Sequence, residues 1–306
     1  MIFRHEYRNG VWVDLEQPSP EEIHRVAEEF SISERIETEL LYPTPTPLVS
    51  GDTDTGLLVL HFPTQGAIEG ETKSQEIDFI VGKNFILTIR YEVIAPLHHL
   101  KKTLEAQKLV GAHTAITTDV LLEILFAHLY TSVRDHTNHI ASRLGTVEQD
   151  MFNDHEQKTV RVISNISREF LHLEAALVDQ EEALSRFLKA LVQRDFFGPS
   201  FAERAARMTA ERTQVGQFIH MHRAVASELR ETNSALLTTR QNEIMKTLTV
   251  INFSVLPLEL IALVFGMHAL GTPLEQNPDA FWIIIAIMMA IAGIMMFFFA
   301  RKRWLF

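Results

Sequence analysis

The chain has 306 residues, no cysteine and a formal net charge of −11. The absence of cysteine excludes a disulfide scaffold and any thiolate metal site. The acidic balance argues against nucleic acid as a partner. The N-terminus lacks the apolar core of a secretory leader, so we expect no signal peptide. Residues 1–240 have the composition of a soluble protein, whereas the remainder is strongly apolar.

The first hundred residues are typical of a mixed α/β domain. Residues 11–15 predict a short strand, and residues 20–30 predict a helix with Ser19 as its N-cap. Residues 42–54, rich in Pro, Thr and Gly, predict a loop. Three more strands follow, the last two joined by a turn at Gly82-Lys83: 57–62, 76–81 and 84–89.

After about residue 115 the apolar residues change to helical spacing. Three/four spacing over 126–151 predicts one helix, and a seven-residue repeat predicts a second, packed as in a coiled coil. The repeat residues are Ile163, Phe170, Leu177, Leu184 and Leu191. Phe197-Gly198-Pro199 breaks the pattern. A third run, through Phe201, Met208, Val215, His222, Leu229 and Leu236, continues without a breaker. We therefore expect one helix over 200–266, roughly 100 Å long, as a stalk that can couple cytoplasmic events to the membrane.

Two apolar runs near the C-terminus predict a membrane hairpin. Residues 281–300 carry no charge and reach about 30 Å as a helix, enough to cross a bilayer. Trp282 and Trp304 flank this run, as is typical of residues at the membrane interface. The run over 247–265 is less uniform, because Asn252, Ser254, Pro257 and Glu259 interrupt it.

Lys and Arg residues predict the orientation of the hairpin. Arg240 and Lys246 precede the first span, and Arg301, Lys302 and Arg303 follow the second. The connecting loop carries only the acids Glu275 and Asp279. The positive-inside rule therefore predicts both termini in the cytoplasm of an inner-membrane protein. Lys246 and the three C-terminal basic residues either form a ring at the cytoplasmic pore mouth or act only as topology determinants.

Glu259 is the residue that predicts a pore. A charge at mid-membrane costs at least about 2.5–3.5 kcal/mol and usually faces a bundle interior or water. The second span offers no cation, and Lys246 is roughly 20 Å away along a helix. Two helices cannot enclose a pore, so several copies must associate with the first span inside. The predicted pore-lining residues are Met245, Leu248, Asn252, Leu256, Glu259 and Leu263. The alternative is a plain anchor in which Glu259 is protonated and packed between helices.

The sequence from residue 242 to residue 268 resembles the CorA/ZntB family of two-transmembrane metal ion transporters. Asn242-Glu243-Ile244-Met245-Lys246-Thr247-Leu248-Thr249 is similar to the N-x-x-M-K-x-L-T signature of that family. The segments 257–262 and 265–267, the basic C-terminal tail, and the strands at 12–15 and 82–90 are also similar to it. The resemblance implies a funnel-shaped homopentamer with a cytoplasmic αβα domain. It also implies transport of Mg²⁺, Co²⁺, Ni²⁺ or Zn²⁺, without a cofactor.

The resemblance divides the chain into seven parts: a cytoplasmic α/β domain (1–112), a cytoplasmic helical hairpin (113–198), the stalk helix (199–246), the pore helix TM1 (247–266), a periplasmic loop (267–280), TM2 (281–300) and a basic tail (301–306). The expected partners are further copies of the chain, the lipid bilayer and divalent metal ions. The resemblance also implies that Gly266, Met267 and the next residue form the outer selectivity ring.

This chain departs from the family pattern at three places. His268 replaces the usual Asn, and it either ligates Zn²⁺, Co²⁺ or Ni²⁺ or only hydrogen-bonds a hydrated ion. Glu259 replaces an uncharged hydroxyl residue and could couple cation movement to protons. The stalk offers Glu203 and Glu211 but no Asp for the cytoplasmic Mg²⁺ site that the resemblance implies.

The remaining histidines predict no enzyme. Asp135, His136 and His139 have metal-compatible helical spacing, yet a solvated helix face is the better interpretation. His222 falls at a core position of the helical repeat. No nucleotide-binding or hydrolase motif is present. The competing hypotheses are a non-conducting metal sensor or scaffold anchored by the hairpin, and a membrane-anchored hydrolase.

Overall fold

The structure is a computed structural model that describes residues 2–7, 9–65, 72–109, 116–153, 156–267 and 279–301. The strands are β1 (Ile2–Tyr7), β2 (Gly10–Glu16), β3 (Leu48–Gly51), β4 (Thr55–Gln65), β5 (Thr72–Gly82) and β6 (Phe85–Arg90). The helices are α1 (Pro20–Glu29), α2 (Glu34–Glu39), α3 (Ala95–Leu109), α4 (Thr118–Phe152), α5 (Glu156–Gln193), α6 (Phe201–Gly266) and α7 (Ala280–Arg301). They form two compact units, Met1–Arg230 and Glu231–Phe306, and α6 belongs to both.

The six strands form one mixed sheet in the order β1-β2-β6-β5-β4-β3. Among the described strands the β2–β6 pair alone is parallel, with Val13 opposite Leu87. The hairpin predicted at Gly82-Lys83 is confirmed, because β5 and β6 pair antiparallel with Val81 opposite Ile86.

Helices cover both faces of the sheet. The first face packs Val13, Leu15 and Ile80 against Ile23, Val26 and Ile36 of α1 and α2 in one buried cluster. On the other face the ring of Phe79 stacks on Phe126 of α4 with centroids 5.0 Å apart. The predicted αβα arrangement is therefore confirmed, because strand residues alternate between two apolar layers.

The start of α1 agrees with its predicted cap. The Ser19 hydroxyl accepts from the Glu22 backbone N–H at 3.3 Å, while the Ser19 N–H donates to the Glu22 carboxylate at 3.0 Å. This capping box satisfies two backbone donors that the helix start would otherwise leave open.

The predicted long helices are confirmed. The α5 repeat residues Ile163, Phe170, Leu177, Leu184 and Leu191 are each at most 1% exposed. The break before α6 falls where predicted, and Gly198 there has φ of 76°, which a residue with a side chain rarely adopts. The stalk and the first membrane span are one uninterrupted helix.

Three elements differ from the sequence prediction. The segment predicted as loop contains β3, and β1 and α3 were not predicted. β3 is a four-residue strand that forms by antiparallel pairing with β4, with Leu48 opposite Val59. That partner lies outside any local window, so tertiary pairing overrides a turn-rich composition.

Candidate functional site

The two membrane-length helices carry their apolar side chains on the outside of the unit. Within the described residues, α6 and α7 are long and apolar enough to cross a bilayer. Only 6% of the 18-residue apolar stretch of α6 is buried, and none of the corresponding stretch of α7. Leu260 and Ile294 are 64% and 68% exposed. A core helix of a soluble protein would be mostly buried, so lipid or other copies of the chain must cover these surfaces.

One face of each hairpin helix is less exposed than the rest. On α6 it is marked by Val250, Ser254, Pro257, Ile261 and Phe265; on α7 by Ile284, Met288, Ile291, Met295 and Phe299. Both series follow the three/four spacing of one helical face. We therefore take these faces as the ones through which the two helices of the hairpin pack.

The predicted pore-lining residues lie on the other side of α6. Met245, Leu248, Leu256 and Leu263 are 62%, 50%, 60% and 60% exposed, and Asn252 and Glu259 are also exposed. At about 100° per residue, Glu259 lies roughly half a turn from the face that contains Val250 and Ile261. The structure therefore brings the six residues onto one uncovered face of a single chain.

The backbone of α6 continues through Pro257. Proline has no N–H to donate and is tolerated in membrane helices where other groups compensate. Nearby hydroxyls bond within the helix: Ser254 Oγ donates to the Val250 carbonyl at 2.8 Å, and Thr249 Oγ1 to the Met245 carbonyl at 2.7 Å. These hydroxyl protons are satisfied without a partner from outside the helix.

The C-terminal end of α6 coincides with the predicted selectivity ring. Gly266 is the last helical residue, and the Met267 N–H donates to the Leu263 carbonyl at 3.1 Å. The Met267 side chain is 74% exposed. His268 and Glu275 lie outside the described residues. Asp279 is exposed, and its carbonyl accepts from the Ile283 N–H at 3.1 Å at the start of α7.

The predicted basic ring is only partly within the described residues. Lys246 is exposed on α6, and Arg301 is exposed at the end of α7. Lys302 and Arg303 lie outside the described residues.

The stalk acids proposed as metal ligands are not gathered into a site. Glu203 is exposed, and Glu211 lies 4.0 Å from Arg134. Among the residues that the structure describes, no group of three His, Asp or Glu side chains could hold a metal ion. The interpretation of Asp135, His136 and His139 as a metal site is therefore not supported.

Two stalk arginines instead neutralise acids of α4. Arg204 contacts Asp119 and Glu123, each at 2.8 Å, and Arg207 Nε donates to Glu123 at 2.6 Å. The hydrogen bond from Arg207 and then that from Arg204 lower the pKa of Glu123 despite its partial burial. Charge pairing within one chain thus joins α4 to this part of α6.

His222 has a structural role. Its ring stacks on Phe170 of α5 at 6.1 Å and meets Phe218 edge-on at 4.5 Å. Burial lowers the pKa of His222, which favours the neutral ring.

The buried charges of the sheet were not predicted from the sequence. Asp14 and Arg90 are both fully buried and joined at 3.1 Å, and Lys101 also contacts the Asp14 carboxylate. Thr88 Oγ1 donates to Asp14 at 2.6 Å and accepts from the Trp12 indole at 3.1 Å. The signal that could have revealed them was a charged residue in each of two apolar strands, Asp14 in β2 and Arg90 in β6. Burying a charge is costly unless it is paired, so two such charges predict a pair.

Comparisons with known proteins agree with this architecture. Residues 8–303 match the family described as CorA-like Mg²⁺ transporter protein. The cobalt/magnesium transport protein CorA of Methanocaldococcus jannaschii is 21% identical over 302 residues, which are 96% of this chain and 91% of that protein. Its counterpart in Thermotoga maritima is 23% identical over 291 residues, covering 92% of this chain and 80% of that protein.

Solved structures show the same fold. The complete M. jannaschii CorA magnesium transporter superposes with a TM-score of 0.83 at 20% identity, covering 98% of this chain and 93% of that one. The full-length CmaX protein gives a TM-score of 0.72 at 20% identity, covering 96% and 89%.

The soluble αβα unit, the long helix and the apolar hairpin define an integral membrane protein with two C-terminal spans. The chain belongs to the CorA-like Mg²⁺ transporter protein family. Its named relatives are metal ion transport proteins rather than enzymes, which supports a divalent cation transporter.

Proposed function

We propose that this chain is one subunit of a homopentameric channel through which divalent cations cross the inner membrane down their electrochemical gradient. The observation that carries the proposal is the position of Glu259. Its carboxylate lies on the exposed face of α6, opposite the face that packs within the hairpin. A carboxylate at that depth needs water, and a water-filled axis between protomers provides it.

The apolar surfaces support the same arrangement. α7 carries no charged residue before Arg301, so its outer face suits lipid. α6 carries Asn252 and Glu259 among apolar residues, as expected of a pore with polar rings and hydrophobic constrictions. The subunit number of five follows from the family resemblance. The positive-inside pattern of Lys and Arg supports cytoplasmic termini and an external loop, whose acids Glu275 and Asp279 would attract cations.

The transported ion depends on the outer ring of Gly266, Met267 and His268. The relatives are named for magnesium and cobalt. An imidazole nitrogen is a better ligand for Zn²⁺, Co²⁺ and Ni²⁺ than for Mg²⁺, which keeps its water shell. Uptake of the four ions into proteoliposomes, compared between wild type and His268→Asn, tests this directly. Direct ligation predicts that the variant shifts preference towards Mg²⁺, whereas hydrogen bonding to a hydrated ion predicts no shift.

Glu259 is proposed to concentrate cations at mid-membrane and to couple their movement to protons. Glu259→Gln should abolish or strongly reduce uptake and remove its dependence on a pH gradient. Ser254→Ala is the matched control, because Ser254 is a polar residue of the same helix on the covered face. Unchanged uptake in Glu259→Gln would overturn the role of this residue. No flux of any divalent ion in wild type would instead favour a non-conducting metal sensor or scaffold.

A further inference from the structure

Two buried carboxyl groups and a half-buried imidazole lie together on the α1/α2 face of the sheet. Glu76 and Asp78 are two residues apart on β5 and therefore point to the same face. His61 of β4 is directly opposite Glu76 in the strand register. Asp78 is fully buried and Glu76 is 9% exposed. Two carboxyl groups thus share an enclosed position with one imidazole.

Glu76 is well supplied with donors. Both of its carboxylate oxygens accept from the Thr44 backbone N–H, at 2.9 and 2.8 Å, and one accepts from Thr44 Oγ1 at 3.0 Å. His61 Nε2 lies 3.6 Å from the same carboxylate. Burial alone would raise the pKa of Glu76, but the nearby His61 imidazole and the hydrogen bonds from Thr44 outweigh it and lower that pKa. Glu76 is therefore the ionised member.

Asp78 has the opposite environment. Its Oδ1 is buried without a hydrogen-bond partner, and its Oδ2 is 3.4 Å from the Tyr91 hydroxyl. That hydroxyl already donates to the Leu40 carbonyl at 3.0 Å. Within the described residues, neither Lys nor Arg forms an ion pair with Asp78. Burial first, and then the charge of Glu76, raise the pKa of Asp78 well above its ordinary range.

The loop between α2 and β3, residues 40–47, is held to the sheet by this group. Tyr91 binds the Leu40 carbonyl, Glu76 binds the Thr44 N–H, and His61 Nε2 donates to the Thr44 carbonyl at 2.8 Å. The His61 carbonyl in turn accepts from Gln180 of α5 at 2.6 Å. The cluster therefore connects the 40–47 loop to β4, to β5 and to the residue after β6. Through the His61 carbonyl it also contacts α5 in the opposite layer.

We propose that Asp78 is held protonated beside the ionised Glu76, and that this proton keeps the 40–47 loop docked on the sheet. Without it, two buried carboxylates on one face of β5 repel each other, and within the described residues His61 is the cationic partner that faces them. The charged and titratable groups that face the pair are His61 of β4 and Tyr91 after β6. The charge of Asp179 on α5 contributes to raising the pKa of His61. The cluster is thus a pH-responsive clamp within the cytoplasmic unit, independent of the proposed pore.

The direction of the response follows from the sign of each shift. Asp78 has a raised pKa in the folded state, so the clamp weakens as pH rises towards that value. The pKa of His61 is also raised, chiefly by the nearby Glu76 carboxylate, so its loss of charge acts in the same direction. Asp78→Asn keeps the shape of the neutral acid but cannot ionise. It therefore separates the effect of Asp78 ionisation from that of the loss of charge on His61.

The test is hydrogen exchange of the full-length protein in detergent, measured at several pH values and corrected for the intrinsic exchange rate. In wild type, amides of the 40–47 loop should lose at least about tenfold of their protection as pH rises, the equivalent of about 1.4 kcal/mol. Asp78→Asn should keep most of that protection. Asp54→Asn is the control, because it removes an exposed acid near β4 and should behave as wild type.

Infrared difference spectroscopy gives a second measurement that does not depend on the loop. A protonated-carboxyl band should be present in wild type at neutral pH and absent in Asp78→Asn. Loop protection that is independent of pH in wild type would overturn the proposal. The proposal would also be overturned if wild type showed no protonated-carboxyl band, or if that band remained in Asp78→Asn.

Discussion

Arg212 of α6 donates two hydrogen bonds, from Nε at 3.1 Å and Nη2 at 2.8 Å, to the main-chain carbonyl of Leu177 within α5. Its Nη2 also donates to Glu181 at 2.8 Å. Arg212 is 7% exposed, so the guanidinium is removed from water and depends on these acceptors. This contact fastens the stalk to the second helix of the α4–α5 pair.

Replacing Arg212 by Ala should destabilise the unit formed by residues 1–230. Hydrogen bonds to a charged group are worth about 1.5–3 kcal/mol, and the substitution also opens space between two packed helices. We expect a clear fall in the Tm of the helical circular dichroism signal. Arg223→Ala is the matched control, because Arg223 binds Glu174 from the same helix but is 44% exposed. An exposed pair contributes at most about 1 kcal/mol, so equal losses in the two variants would contradict the prediction.

Asp14→Asn should be more damaging, because it removes the buried carboxylate that Arg90 and Lys101 share and leaves Arg90 only its contact with the less buried Glu16. Breaking a buried ion pair from one side costs about 3–5 kcal/mol. Chemical denaturation followed by circular dichroism measures the loss. Glu29→Gln provides the comparison, since Glu29 pairs with Arg4 at a site where both side chains are about 40% or more exposed. That variant should stay within about 1 kcal/mol of wild type.

The contribution of Glu123 to folding stability should be lost at acid pH. Its pKa is lowered from 4.5 mainly by the hydrogen bond from Arg207, so its contribution is complete above that value and disappears as pH falls through the lowered pKa. Glu123→Gln should therefore reduce Tm at neutral pH, and its difference from wild type should shrink in acid. Glu182→Gln serves as the control, because Glu182 is 84% exposed beside Arg186. A Tm difference that does not change with pH would mean that the Glu123 variant acts through packing instead.

The pore-facing assignment can be tested with single cysteines, because the native chain has none. Asn252 and Ser254 are two residues apart on α6 but lie on its exposed and covered faces. A charged, water-soluble thiol reagent should block ion flux through Asn252→Cys and leave Ser254→Cys unaffected, since water reaches only the pore-facing side chain. Flux must first be established for both variants before the reagent is added. Block of Ser254→Cys alone would reverse the assignment of the faces.

The membrane hairpin and the helical repeat were predictable from local pattern. An uncharged run of bilayer length has no common alternative interpretation, and a seven-residue repeat places one face of a helix in a core whatever its partner. The Ser19 cap and the Gly82-Lys83 turn were predictable for the same reason, since each depends on a few consecutive residues. The face of α6 that carries Glu259 could also be derived from helical spacing alone.

Contacts between distant residues could not be predicted in this way. β3 forms only because β4 offers it an edge, and Asp14 is tolerated only because Arg90 and Lys101 come from elements far along the chain. The arginines of α6 were visible as charges, but whether they face solvent, a metal site or the acids of α4 depends on packing. The sequence by itself determined where the chain is helical, apolar and membrane-spanning, because those properties follow from neighbouring residues. Only the tertiary structure decided which buried charges compensate one another, because that depends on which strands and helices come together.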